Sequence, residues 1–244
     1  MKKQLEKKYC YKLNTGFTLA EVLITLGIIG ITAALTLPSL IISSRNKQLE
    51  TALKNGYSTL SQALKMYEQE NGEPIKSSDE GIDLKTILMS YLNVVKDCGK
   101  GTDADKSCIP NKDYVTDLDN FKAVYTNYNG TNEIPYSLID DGQFVINNGM
   151  LVLLENDQNP NNKDMRYISV DVNGYNKSPN RLGQDLFMFQ IDNNGQLVPM
   201  GAKYTDYYSK KDEYCSNTST SAANGLGCTA KALYDTNFFK KLPR

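Results

Sequence analysis

The stretch "KLNTGFTLAEVLITLGIIGITAALTLPSLI", Lys12 to Ile41, places one acidic residue, Glu21, inside an otherwise apolar run. Glu21 is the only formal charge among the 26 residues from Phe17 to Ile42. An α-helix of that length reaches about 39 Å, which is enough to cross a hydrocarbon core of about 30 Å. The stretch therefore predicts a membrane-spanning helix with a carboxylate near its start.

The charges on either side of this run predict its orientation. Five lysines and one glutamate precede the run, whereas the first basic residues after it are Arg45, Lys47 and Lys54. Basic residues favour the cytoplasmic side of a membrane. We therefore expect the N-terminus in the cytoplasm and everything after Ile42 outside it.

Three simpler interpretations of the run compete with this one. A cleavable signal peptide would use the small residues Thr32 to Ala34 as its processing site, but the apolar run continues to Ile42. A plain membrane anchor does not explain Glu21, since an acid deep in a membrane helix costs roughly 2.5–3.5 kcal/mol on insertion scales. A buried helix of a globular protein is normally shorter and less apolar.

The start of the run, Gly16-Phe17-Thr18-Leu19-Ala20-Glu21, resembles the processing site of type IV prepilins and of the pseudopilins of type II secretion. The resemblance also covers the basic leader, the apolar half-helix and Pro38, where many family members carry a helix-kinking proline. It implies cleavage between Gly16 and Phe17 and N-methylation of Phe17. It also implies that Glu21 pairs with the new amino group of Phe17 on a neighbouring subunit during filament assembly.

The same resemblance implies a structural filament subunit rather than an enzyme. Its partners would be a prepilin peptidase, other pilin or pseudopilin subunits and an inner-membrane assembly platform. The chain would be stored in the inner membrane with a cytoplasmic N-terminus and would then enter a periplasmic or extracellular filament. The alternative is a surface binding protein, tethered by an uncut helix or released by signal peptidase. The resemblance does not choose between a pilus, a secretion pseudopilus and a competence system.

Composition argues against catalysis and against bulk nucleic-acid binding. The chain contains no histidine, and it has neither a G-x-S-x-G motif nor a phosphate-binding glycine loop. Removal of residues 1–16 leaves 22 basic and 27 acidic side chains. Nucleic-acid binding would therefore need a local basic patch, for which the C-terminal end offers Lys231, Lys240, Lys241 and Arg244.

The chain divides into a basic leader (1–16), an apolar helix (17–42), an amphipathic continuation of that helix (43–72) and a globular domain (73–244). The continuation is predicted from apolar residues at spacings of three and four, namely Leu49, Leu53, Tyr57, Leu60, Leu64 and Tyr67. Asn71-Gly72 is a typical helix end.

The globular domain is predicted to contain an antiparallel sheet. The candidate strands are Phe144–Ile146, Met150–Leu154, Tyr167–Val172, Leu186–Ile191 and Gln196–Val198. Turn residues separate the first two at Asn147–Gly149 and the last two at Asp192–Gly195. The predicted fold is α+β and pilin-like, a long N-terminal helix packed on a C-terminal antiparallel sheet. The region from Ile82 to Asp119 is predicted to begin as a short helix and then to become loop-like.

Cysteine usage is consistent with a location outside the cytoplasm. Cys10 lies in the leader, which leaves the even set Cys98, Cys108, Cys215 and Cys228. Four cysteines allow three pairings, and sequence proximity favours Cys98 with Cys108 and Cys215 with Cys228. The second pair resembles the disulfide-closed C-terminal loop of many pilins. A zinc site is the weaker alternative, since the chain has no C-x-x-C motif and no histidine.

Calcium is the one cofactor that the sequence indicates, and none is required for the proposed role. The loop from Asp171 to Phe187 carries oxygen-bearing side chains between two predicted strands, and we select Asp171, Asn173 and Asp185 as ligands. The loop does not match an EF-hand, because that motif needs a glycine and a glutamate where Asn176 and Leu182 stand. Major pseudopilins carry calcium on such a loop, although asparagine and glycine are also ordinary turn residues.

Overall fold

The computed structural model describes residues 16–103, 106–110, 124–156 and 166–243. The chain forms two compact units, one ending at Ser44 and one beginning at Arg45. The predicted leader lies outside the described residues except for Gly16, and Cys10 lies outside them as well.

Helix α1 runs from Leu19 to Asn71, as the apolar run and the amphipathic pattern predict. Within the described residues it is the one helix long and apolar enough to cross a membrane. None of its most apolar 18-residue segment is buried. Leu23, Ile29 and Leu35, for example, are each more than half exposed. The N-terminal part of α1 therefore suits a membrane anchor.

The C-terminal half of α1 packs on the globular domain through the predicted stripe. Leu49, Leu53 and Leu60 are buried in the main core. Gly56 lies on the same face, where an added Cβ would stand 3.4 Å from the sulfur of Met150. A Cβ there would be in ordinary van der Waals contact, so the helix approaches the sheet closely at this point. The predicted end of the helix is also confirmed, since Gly72 follows Asn71 with a φ of +81°.

The globular domain contains a six-stranded antiparallel sheet whose spatial order follows the chain. Its strands are β1 (Val94–Asp97), β2 (Gly142–Ile146), β3 (Leu151–Glu155), β4 (Tyr167–Asp171), β5 (Leu186–Ile191) and β6 (Leu197–Pro199). The five predicted strands are confirmed as β2 to β6. The long helix α1 and the antiparallel sheet together form the α+β, pilin-like arrangement that the sequence predicted.

Both faces of the sheet are covered over β2 to β5, which explains why these four strands are buried along almost their whole length. Phe144, Val152 and Phe189 belong to the core that also contains the stripe of α1. On the opposite face Leu153, Tyr167 and Met188 pack under the connecting segments, together with Ile109, Tyr125, Ile134, Leu182, Met200 and Leu226.

Strand β1 and the short helices complete the domain. Helix α2 (Leu84–Tyr91) is the short helix predicted after Ile82, and Asp83 caps it by accepting a hydrogen bond from the Thr86 amide at 3.1 Å. Strand β1 follows it at the sheet edge, where the sequence predicted a loop; that prediction was wrong for Val94–Asp97, which pairs with β2. Helix α3 (Lys211–Tyr214), helix α4 (Cys228–Tyr234) and a 3-10 helix (Phe238–Lys240) lie in the C-terminal region.

Two disulfides fasten the segments that carry few strands or helices. Cys98 pairs with Cys108, and Cys215 pairs with Cys228. This is the pairing that sequence proximity favoured. The second bond ties the beginning of α4 to the end of α3, and Cys228 is fully buried.

Candidate functional site

The residues of the predicted processing site lie just before the first turn of α1. Gly16, Phe17 and Thr18 are not helical, and all three are exposed. The Phe17 side chain is 89% exposed, and an added Cβ at Gly16 would meet nothing within 4 Å. The peptide bond between Gly16 and Phe17 is thus accessible and outside the helix, as a peptidase substrate needs to be.

Glu21 closes a reciprocal hydrogen-bonded cap with Thr18. The Thr18 amide donates to Glu21 Oε2 at 2.8 Å, and the Glu21 amide donates to Thr18 Oγ1 at 3.2 Å. The Thr18 hydroxyl donates to the same carboxylate oxygen at 2.8 Å. This is a capping box, which satisfies two amides that the helix itself leaves without partners.

The cap gives Glu21 a partner within its own helix. A carboxylate in the first turn also meets the positive end of the helix dipole. Both effects lower the cost of keeping this acid at the start of an apolar helix. Sequence reasoning missed Thr18 as part of the site, although the Thr18-Leu19-Ala20-Glu21 spacing is the signature of a capping box.

Other polar groups of the apolar part of α1 are satisfied within the helix. Thr25 Oγ1 donates to the carbonyl oxygens of Glu21 and Val22, both at 2.9 Å. Thr32 and Thr36 donate in the same way to carbonyls one turn earlier. Internal hydrogen bonding of this kind is what a lipid environment demands. These hydroxyl groups therefore do not prevent the helix from entering a membrane.

Two small residues leave open space on the surface of this segment. An added Cβ at Gly27 or at Gly30 would meet nothing within 4 Å in the single chain. Small residues let neighbouring helices approach closely in lipid. Pro38 lies inside α1, and the helix continues through it. The kink expected at Pro38 stays a prediction.

The predicted calcium loop brings two buried carboxylates together. Register pairs Asp171 at the end of β4 with Leu186, which places Asp171 beside Asp185. Asp171 accepts hydrogen bonds from the Gly174 amide at 2.8 Å and the Tyr125 hydroxyl at 2.7 Å. Asp185 accepts from the amides of Asn180 and Arg181, both at 2.7 Å.

Burial changes the acidity of this pair. Desolvation raises the pKa of Asp171 to about 6. Desolvation, with the nearby charge of Asp171 added, raises the pKa of Asp185 to about 7. The pKa of the Tyr125 phenol is raised as well, by burial first and then by the charge of Asp171. The two carboxyl groups therefore lose their protons only as the pH approaches neutrality.

Two amide oxygens add to the same loop. Asn173 Oδ1 and Asn180 Oδ1 are buried, and neither has a hydrogen-bond partner among the described residues. Buried oxygens are normally satisfied. Two acidic carboxylates with two unsatisfied amide oxygens fit a hard cation such as calcium. No group of three or more acidic, cysteine or histidine side chains suited to a metal occurs in the described part of the chain, so amide oxygens would have to complete the site.

Asn180 is a further candidate ligand beyond the three residues selected from the sequence. It has a φ of +52°, and its Nδ2 donates to the Tyr175 carbonyl at 2.7 Å. The Tyr175 contact holds the side chain in place, and the backbone amide of Asn180 donates to Asp185. The asparagine was visible in the sequence, but the contact of its backbone amide with Asp185 follows from the loop conformation.

Comparison with known proteins supports the interpretation of the N-terminal segment. No curated protein and no solved structure matches the chain. Residues 11–37 match the prokaryotic N-terminal methylation motif, and the match covers Gly16, Phe17 and Glu21. The chain therefore carries the prepilin-type cleavage and methylation signal of type IV pilins and pseudopilins, which supports its being a precursor of that kind.

Proposed function

We propose that the chain is a structural subunit of a type IV pilus or of a type II secretion pseudopilus. A prepilin peptidase cuts it after Gly16 and methylates the new amino group of Phe17. The mature subunit waits in the inner membrane and is then moved by an assembly platform into a helical filament. The observation that carries this proposal is the match of residues 11–37 to the methylation motif.

The geometry of Glu21 supports a defined assembly step. In the single chain its carboxylate accepts hydrogen bonds from Thr18. In the filament we propose that it accepts instead from the methylated amine of Phe17 on the neighbouring subunit. An ion pair in a low-dielectric setting offsets part of the desolvation cost of both charges. Glu21 thereby fixes the axial register between subunits.

Filament yield tests the assembly role. We expect Glu21→Leu to be cleaved after Gly16 and to remain in the membrane without forming filaments that can be sheared from the cells. Glu73→Leu is the control, because Glu73 is exposed in the loop after α1. Normal filament yield from Glu21→Leu would overturn the role of the carboxylate.

We further propose that calcium binds the loop after β4, held by Asp171, Asn173, Asn180 and Asp185. The cation would neutralise the two carboxylates and satisfy the two amide oxygens, which would stabilise this part of the subunit. Calorimetric titration of the mature chain in detergent should show calcium binding that Asp185→Asn removes. Absence of heat with millimolar calcium would overturn the proposal.

A further inference from the structure

We infer that the globular unit binds the phosphate headgroups of anionic phospholipids through a basic patch formed by Arg45, Lys47, Lys240 and Lys241. The inference rests on the membrane anchorage of the proposed function, and it assigns the lipid class and the residues that hold it. The patch joins the first residues of this unit to the last ones of the described chain.

A hydrogen bond brings the two parts of the patch together across 193 residues of sequence. Asn46 Nδ2, between Arg45 and Lys47, donates to the carbonyl oxygen of Phe239 at 2.7 Å. The Phe239 side chain is buried and packs against Phe187 with ring centroids 6.0 Å apart. The core therefore fixes the C-terminal 3-10 helix beside the beginning of this unit, and Lys240 and Lys241 follow directly.

The four side chains of the patch are available for a ligand. All four residues are exposed. None of them forms an ion pair within the described part of the chain, and Lys240 donates only to the Asn237 amide oxygen at 3.1 Å. Lys54, the next basic residue along α1, differs because its ammonium group lies 2.6 Å from Glu50. The basic charge of the patch is thus not neutralised by the protein itself.

Position along the chain identifies the partner as a lipid. Arg45 follows Ile42, the end of the apolar run, by three residues, a rise of about 5 Å in an α-helix. If the run occupies the hydrocarbon core, residues that close to its end lie at the level of the headgroups. Arginine and lysine have long side chains that extend towards an interface, and anionic headgroups attract such clusters.

Nucleic acid is a poorer partner for the same patch. The chain without residues 1–16 has more acidic than basic side chains, so its overall field repels a polyanion. Arg45 and Lys47 are two residues apart on α1 and therefore lie on different sides of the helix, so the patch contacts separate small headgroups rather than a single one. Such contacts at one end do not bring the rest of the surface near the ligand. A long polyanion would have to pass the acidic remainder of the domain.

Native mass spectrometry of the full mature chain in neutral detergent tests the inference. At about 0.1 M salt, where charges are screened beyond about 10 Å, we expect at least about tenfold tighter binding of dioleoylphosphatidylglycerol than of dioleoylphosphatidylcholine. Replacement of the four basic residues of the patch by glutamine should abolish this preference. The matched control replaces four exposed lysines outside the patch by glutamine, namely Lys96, Lys100, Lys106 and Lys203. This variant has the same change of charge and should retain the lipid preference.

Two results would overturn the inference. The first is the absence of a lipid preference that depends on the patch, whether because the unaltered chain binds both lipids equally or because the preference survives the patch substitutions. The second is binding of a short DNA duplex that the patch variant alone loses, without any lipid preference. The N-terminal residue of the same sample separates this inference from the proposed function: a chain that begins at Phe17 but shows no preference refutes only the lipid site.

Discussion

The amide of Thr18 donates to the Glu21 carboxylate at 2.8 Å, and the amide of Glu21 donates back to the Thr18 hydroxyl at 3.2 Å. The carboxylate with the proposed role in assembly is therefore held by its own helix in the single chain. A neighbouring amine would have to replace these hydrogen bonds. The strength of the cap then contributes to the free-energy difference between the stored and the assembled subunit.

Substitution of Thr18 tests the cap. Thr18→Ala removes the acceptor for the Glu21 amide, and loss of such a cap costs about 1 kcal/mol. We expect amide hydrogen exchange at Glu21 to become about fivefold faster in detergent micelles. Thr18→Ser should keep the protection. Thr51→Ala is the control, because the Thr51 hydroxyl donates to the Lys47 carbonyl inside α1 and caps nothing. Unchanged exchange in Thr18→Ala would contradict the capping box.

The two buried aspartates predict an unusual dependence of stability on pH. Their pKa values in the folded chain, about 6 for Asp171 and about 7 for Asp185, lie above the ordinary value of 3.8. The folded state therefore binds more protons than the unfolded state between about pH 4 and pH 7. In this window the free energy of unfolding falls as the pH rises.

Thermal melts of the mature chain without calcium measure this dependence. Asp171→Asn combined with Asp185→Asn should flatten the decline between pH 4.5 and pH 7.5. Asp83 and Asp97, whose pKa values are lowered by their hydrogen bonds, act in the opposite direction and below that window. A melting temperature that declines equally in the double variant and in the unaltered chain would show that other groups are responsible.

Calcium binding should be linked to proton release, since a cation competes with protons for Asp171 and Asp185. The apparent affinity is expected to rise as the pH passes from 6 to 8 through the raised pKa of Asp185. Titration calorimetry in two buffers of different ionisation enthalpy counts the protons released. Heat that is the same in both buffers at pH 6.5 would mean that the cation does not displace protons from this pair.

Two glycines with similar positive φ values distinguish the cost of backbone strain from the cost of a steric overlap, because only one of them has a close neighbour where a side chain would begin. Gly149 and Gly201 have φ values of +85° and +91°. An added Cβ at Gly149 would meet nothing within 4 Å, whereas at Gly201 it would overlap the carbonyl oxygen of Gly227. Both alanine substitutions incur the cost of positive φ. We expect Gly201→Ala to lower the melting temperature clearly more than Gly149→Ala, and equal losses would contradict the close approach.

The main elements could be predicted because their causes are local in sequence. The apolar run and the stripe from Leu49 onwards specify α1, and continuous apolar segments specify β2 to β5. The turn at Asn147–Gly149 was predictable because asparagine and glycine tolerate positive φ, which Gly149 adopts. Strand β1 could not be predicted, since it is short, largely exposed and interrupted by a register shift between Val94 and Lys96.

The candidate sites were predictable only where the residues that form them lie close together in the sequence. Gly16, Phe17 and Glu21 lie in one short motif, and the capping role of Thr18 follows from spacing alone. The contact of Tyr125 with Asp171 joins residues 46 apart, and the contact of Asn46 with Phe239 joins residues 193 apart. Such contacts depend on how the whole domain packs, which the residues at either end do not specify.

Cleavage between Gly16 and Phe17 is the step on which the proposed function depends. Intact mass and N-terminal sequencing of the chain recovered from its native membrane test it most directly. We predict that the mature chain begins at N-methylated Phe17. A chain that begins at Leu35, as after signal peptidase, or at Met1, as for an uncut anchor, would contradict the filament function.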